Sequence, residues 1–198
     1  MMSAVECSQP VTAEKTLPGD FAVWLFIFAE LSVFALLFLL FAITRVRYPD
    51  IFAQGQASVS SIAGLVNTLA LLSSSYFVVI AQRALLNNRR MASVINLLLA
   101  LASAGLYLGV KSVEYQHLAE LGFGLGSNDF YFFYFGLTGF HMLHVILGML
   151  VLLFLGYKVY RGHYHRERMN EFESGACYWH MVDLLWLMLF PLVYVLHG

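Results

Sequence analysis

The sequence predicts an all-α fold, a polytopic membrane bundle of five transmembrane helices. Three observations carry this. Hydrophobic residues make up 60% of the 198 residues and charged residues only 12%, whereas a soluble domain carries about a quarter charged. Mean hydropathy is +0.74. The apolar residues fall into five runs of about twenty, the length needed to cross the hydrocarbon core of a bilayer.

The elements follow in order. Residues 1–20 form a polar tail with Pro10, Pro18 and Gly19. The tail lacks the basic start and short apolar core of a cleaved leader, so the first span is expected to act as its own insertion signal. That span covers 21–43, and Tyr48-Pro49-Asp50 breaks the chain after it. The second span, 62–86, and the third, 92–116, are joined by the tight basic turn Asn87-Asn88-Arg89-Arg90, which predicts an antiparallel hairpin. Gly122 to Asp129 precedes the fourth span, 130–157, and the charged stretch Arg161 to Glu173 precedes the fifth, 175–196. Residues 21–198 thus read as one five-helix membrane domain.

Basic residues set the expected orientation. With the N-terminus in the cytoplasm, Lys15, Arg83, Arg89, Arg90, Lys158, Arg161, Arg166 and Arg168 lie on that side. Only Arg45 and Arg47 lie on the other, and Lys111 falls within a span. The C-terminus is then periplasmic. A net charge of -1 gives no basic field for nucleic acid. Cys7 and Cys177 form no metal-binding spacing and read as incidental.

Ionisable groups inside the spans are the informative exceptions, since each costs roughly 2.5–3.5 kcal/mol at mid-membrane and therefore faces protein or water. Lys111 and Glu114, spaced i, i+3, share a helix face and read as a partly hydrated ion pair near the outer end of the third span. His141-x-x-His144 and His180-x-x-Asp183 have one-face spacing as well. With Glu30 or Glu114 they could suggest a carboxylate–histidine metal centre. Depth speaks against it. Counted along straight helices, Glu114 lies roughly 33 Å from the cytoplasmic end, Asp183 roughly 12 Å, and His141 and His144 roughly 20–24 Å. No metal, and no heme held by the chain itself, is expected; the histidines are expected to hydrogen-bond between helices.

Glu30 lies roughly 13 Å deep, with no basic residue within a turn. It reads as a neutral carboxyl hydrogen-bonded to a neighbouring helix, or as a participant in proton movement. Its depth places it in one candidate polar layer with Asp183. Gly64, Asn67, Thr68, Ser73-Ser74-Ser75, Thr138, Gly139 and Gly148 read as close-packing positions. Trp24, Tyr131, Tyr134, Tyr178 and Trp179 read first as interfacial belt anchors. Among the motifs of catalysis, neither a nucleophile elbow nor a phosphate loop occurs.

Several stretches together resemble subunit III of the heme-copper oxidases. They are Phe26-Ile27-Phe28-Ala29-Glu30, Asn67-Thr68-Leu69-Ala70-Leu71-Leu72-Ser73-Ser74, Glu114-Tyr115 and Thr138-Gly139-Phe140-His141-Met142-Leu143-His144-Val145. Glu173, followed by Tyr178-Trp179-His180-Met181-Val182-Asp183-Leu184-Leu185-Trp186, completes the set. The chain looks like the five-span form, without the first two helices of the seven-span type. Leu17-Pro18-Gly19-Asp20, the loop Phe52-x-x-Gly55-Gln56 and the ending Leu189-Phe190-Pro191-Leu192-Val193-Tyr194 look most like the branch associated with bacterial nitric oxide reductase.

The resemblance implies an accessory subunit of the bacterial inner membrane with neither a catalytic residue nor a redox cofactor of its own. Its partners would be membrane lipids, including bound phospholipid, and a catalytic subunit that carries the heme. Glu30, Glu114, His141, His144, Trp179, His180 and Asp183 are then the candidates for proton supply or lipid contact, and none would ligate a metal. Nitric oxide reduction is the first expectation for the complex, and a quinol or cytochrome c oxidase the alternative. A rival of another class is an independent transporter or proton channel using Glu30 and Asp183. Against it stands the lack of inverted repeats and of broken helices at mid-span. A membrane oxidoreductase holding its own heme through His141, His144 or His180 is the third reading.

Overall fold

The computed structural model describes residues 21–164 and 169–195. Expectations for the 1–20 tail, including Cys7, Lys15 and Leu17-Pro18-Gly19-Asp20, and for Arg166, Arg168 and residue 196, lie outside these. Six α-helices form: α1 (Phe21–Arg47), α2 (Pro49–Ala57), α3 (Ser61–Leu86), α4 (Arg90–Glu120), α5 (Asp129–Tyr160) and α6 (Asn170–Phe190). A π-helical turn, Pro191–Val195, continues α6. Five of these segments are long and apolar enough to cross a membrane, α6 being counted with its π-turn. Strands are absent among the described residues.

Local chemistry explains the boundaries. Ser60 caps α3 by accepting from the Ala63 N–H, and Asn128 caps α5 by accepting from the Tyr131 N–H. Their side chains satisfy donors that a helix start leaves unpaired. α3, α4 and α5 close alike, with a left-handed residue just past the end: Asn88 (φ 56°), Gly122 (φ 82°) and Gly162 (φ 74°). The next N–H reaches back to the helix in each case: Arg89 to Ala84 O, Phe123 to Leu118 O and His163 to Lys158 O. These are Schellman closures, which satisfy the terminal carbonyls.

The sequence reading missed α2 as well as the π-turn. Phe52-x-x-Gly55-Gln56, read as a loop, is a helix opened by Pro49, whose fixed φ and absent N–H suit a first helical position. α2 buries Phe52, Gly55 and Gln56, so the i, i+3, i+4 spacing faces the bundle. Phe130 of α5 packs directly over Gly55, where a side chain has no room.

α3 and α4 form the tightest pair, α5 packs on α4 and α6, and α6 returns to α3, so four helices enclose the core. α1 lies outside this ring against α5 and α6, burying Ile27, Phe34 and Phe41, one residue every two turns. The aromatic belt requires correction. Tyr131, Tyr134, Tyr178 and Trp179 are buried in the core, and Tyr131 bonds to the Ser58 hydroxyl. Depth along a span does not report which way a side chain points around it.

Candidate functional site

Among the described residues, the sequence-predicted polar side chains inside the bundle include three bonded centres and one unpaired layer. The first joins α1 to α5. His144 Nε2 stands 3.0 Å from Glu30 Oε2, with the side chains 8% and 19% exposed. His144 Nδ1 lies 2.8 Å from the Phe140 carbonyl. A carbonyl oxygen only accepts, so Nδ1 carries the hydrogen. The Nε2–Glu30 contact therefore holds one shared proton, either as a carboxylic acid donating to imidazole or as imidazolium donating to carboxylate. Phe34 and Phe140 cover the ring at 5.3 and 4.6 Å between centroids. Glu30 thus meets His144, a partner that counting depth along straight helices sets several ångström away.

The second centre surrounds Lys111, which is fully buried, while its partner Glu114 keeps 8% exposure. Its ammonium donates to Glu114 Oε2 at 3.0 Å, Tyr134 Oη at 3.0 Å and Tyr194 Oη at 2.6 Å. An ammonium has three hydrogens, and all three are used. The Tyr194 hydroxyl in turn donates to the Glu114 carboxylate at 3.0 Å. The Tyr134 ring lies 4.6 Å from the lysine nitrogen, close enough for cation–π attraction. Tyr194 gets there through the π-turn after Pro191. The loosened carbonyls of that turn accept from side chains of α2 and α3: Gln56 Nε2 donates to Val193 O at 3.1 Å, and Ser61 Oγ to Tyr194 O at 3.3 Å.

The third centre joins α3 to α6. Ser75 Oγ and His180 Nδ1 are 2.5 Å apart, and the same hydroxyl faces the Asp183 carboxyl. Asp183 is buried and one of its oxygens, Oδ1, has no hydrogen-bond partner among the described residues. Trp179, on the same helix, packs its ring against Gly148 of α5, 2.7 Å from where a Cβ would stand. That glycine is required by close approach.

Between the first two centres lies a layer with unmet polar groups. Both amide atoms of Asn67, the Tyr107 hydroxyl and both ring nitrogens of His141 lack hydrogen-bond partners among the described residues. Each such group costs about 1–3 kcal/mol when buried. Trp186, beside them, is satisfied: its Nε1 donates to Thr68 Oγ1 at 2.9 Å.

His141 and His144, adjacent in the sequence pattern, therefore part company, as do the two carboxyls Glu30 and Glu114. No group of three or more His, Cys, Asp or Glu side chains among the described residues gathers to hold a metal ion. The sequence reading passed over Ser75, Tyr134, Tyr194 and Gln56 as site members. Each bonds to a residue on another element, a pairing that hydropathy does not encode.

Comparison with known proteins gives the context. The family model for cytochrome c oxidase subunit III matches residues 11–197. A Synechocystis protein named cytochrome c oxidase subunit 3 is 34% identical over 177 residues, 89% of this chain and 75% of its own. The Arabidopsis thaliana protein of the same name is 36% identical over 129 residues, 65% of this chain. The chain spans about half the length of that plant relative, 48%. An Aeropyrum pernix protein named heme-copper oxidase subunit I+III is 28% identical over 180 residues, 88% of this chain and 22% of its own.

Proposed function

The chain belongs to the cytochrome c oxidase subunit III family, and we propose that it is the cofactor-free accessory subunit of an oxygen-reducing heme-copper oxidase in a bacterial inner membrane. The observation that carries this is the family match over residues 11–197, which takes in all five candidate membrane spans among the described residues. The relatives' names speak of oxidases. They support the aerobic reading over the link to nitric oxide reduction that the ending at Pro191 and the Phe52-x-x-Gly55-Gln56 stretch suggested. In the Aeropyrum pernix relative, subunits I and III share one name and one chain, which supports a catalytic subunit I, bearing the heme, as the partner.

The geometry suits support of a partner more than chemistry. Polar groups pair with one another and fasten helices: Glu30 to His144, Lys111 to Glu114, Tyr134 and Tyr194, and Ser75 to His180. On this reading Glu30 and Asp183 set helix register. A groove of about 290 Å³ between α1, α5 and α6, lined by Phe26, Leu147, Val151 and Phe154 with Glu171 among its walls, suits a phospholipid chain. α1 presents Leu25, Phe28, Leu36, Leu39 and Ile43 outward, an apolar face for lipid or for the catalytic subunit.

The test is purification of the tagged chain from its own host in mild detergent, with a heme spectrum and identification of what accompanies it. Recovery of an oxygen-reducing heme subunit is the expected result, and deletion of the gene should lower turnover while leaving the heme spectrum in place. Co-purification with a nitric oxide reductase would restore the denitrification reading. A colourless, partner-free protein would overturn the accessory role.

A further inference from the structure

We infer that the layer where Asn67, Tyr107 and His141 meet is a water-binding chamber inside the bundle, supplied from the end of the bundle that holds α2. Five polar atoms on these residues lack hydrogen-bond partners among the described residues, and all three residues have no exposure at all. They stand at one level. Tyr107 and His141 are edge to face with ring centroids 5.8 Å apart, and both contact Trp186, at 5.1 and 5.3 Å. Asn67 joins them by register. Ser74 Oγ donates to Ala100 O at 2.8 Å across the antiparallel α3–α4 pair. Two turns onward along both helices, Asn67 comes opposite Tyr107.

The donor set selects the ligand. The amide offers two hydrogens and a carbonyl oxygen, the phenol both donates and accepts, and a neutral imidazole does one of each. An apolar molecule would meet none of these needs. A cation would face the Lys111 ammonium, one turn from Tyr107 on the same face of α4. Water supplies donors and acceptors together, and about three hydrogen bonds per buried molecule lets about two waters serve the five atoms.

Polar side chains lead from the layer toward one end of the bundle. One turn on from Tyr107 along α4, Lys111 bonds to Tyr194 and Tyr194 to Glu114, and Glu114 lines a groove of about 780 Å³ with Ser58, Ser60 and His117. On the other side Phe34 intervenes, its ring 6.5 Å from His141 and 5.3 Å from His144. The chamber therefore opens toward the α2 end and is closed from the Glu30–His144 pair.

X-ray radiolysis of the purified protein in H₂¹⁸O tests this, because hydroxyl radicals made from a bound water oxidise the side chains that hold it. Tyr107, His141 and Trp186 should take up ¹⁸O at least tenfold faster than Phe41, each rate normalised to the unfolded chain. Phe41 is equally buried, among Phe52 and Phe133. Equal protection of all four residues would overturn the chamber. A second measurement turns on a sign. If waters bridge the layer, Asn67→Leu and His141→Phe each lower the melting midpoint by several degrees, and the double variant falls by less than the sum. If the layer is dry, removing an unpaired polar group raises the midpoint, and that rise would likewise refute the inference.

Discussion

Replacing Lys111 with methionine removes the buried ammonium while keeping the length and helix propensity of the side chain. Three hydrogen bonds disappear, and Glu114, 8% exposed, is left with the Tyr194 hydroxyl. Removing one partner from a buried ion pair costs about 3–5 kcal/mol, chiefly through the charge left behind. The Tyr194 donor still solvates that charge, which favours the lower figure, about 3 kcal/mol. At about 2–4 °C per kcal/mol for a chain of this size, the melting midpoint should fall by about 6–12 °C. The double variant Lys111→Met, Glu114→Gln removes both charges, and the glutamine carbonyl can still accept from Tyr194. It should recover more than half of that loss. The assay is the fraction of the purified complex that remains monodisperse after stepwise heating in detergent. A single variant that melts within 2 °C of the parent, or a double variant no more stable than the single, would show that the pair is not what holds α4, α5 and the π-turn together; the 2 °C line corresponds to less than about 1 kcal/mol.

Three further outcomes are expected. Glu30→Gln keeps a hydrogen-bond donor for His144 Nε2 and should leave assembly near normal, whereas Glu30→Leu strands that nitrogen at a cost of about 1–3 kcal/mol; equal yields of complex from the two would refute the shared-proton pair. Gly148→Ala drives a methyl into the Trp179 ring and should destabilise by about 1–3 kcal/mol, while Gly156→Ala, whose Cβ would meet only Leu97 at 3.8 Å, should be neutral in the same melts. Burial, and then the neighbouring Glu171 carboxylate, hold the Tyr164 phenol above its ordinary 10.0. The stability this contributes is complete below about pH 10 and is lost as pH rises toward the folded value, so Tyr164→Phe should flatten the alkaline decline in stability, and an unchanged decline would refute it.

The five spans were legible because crossing a bilayer demands length and apolarity, and both are written linearly in the chain. α2 was not, since nine residues with Pro49, Asp50, Gln54 and Gln56 carry too little hydropathy to announce a helix. Its signal was the spacing of Phe52 and Gln56, one turn apart on a single buried face. Within a helix, Lys111 and Glu114 could be paired from their i, i+3 spacing. Their third and fourth partners could not. Tyr194 arrives through a π-turn, and Tyr134 looked like a belt residue because it lies near the start of its span. Glu30–His144 and Ser75–His180 were hidden for a related reason: both cross helices, and depth counted from assumed span ends errs by more than the reach of a hydrogen bond, as α6 shows by starting at Asn170 rather than 175.

The attachment of α1 shows what the membrane changes. In water, a helix exposing Leu25, Phe28, Leu36, Leu39 and Ile43 would be driven inward by the hydrophobic effect. In lipid that drive is absent, because acyl chains are as apolar as leucine. α1 must then be held by shape and by polar contact: the stripe Ile27, Phe34 and Phe41 against α5 and α6, and Glu30 on His144. The aromatic stripe alone leaves the register open, since Phe34 and Phe41 are alike and lie two turns apart. A slide by two turns could exchange one phenylalanine site for another at little cost in packing. It would also leave both Glu30 and His144 unpaired in hydrocarbon. The hydrogen bond between them therefore selects the register, the role for which buried polar pairs are best attested, and it does so whether or not the shared proton ever moves.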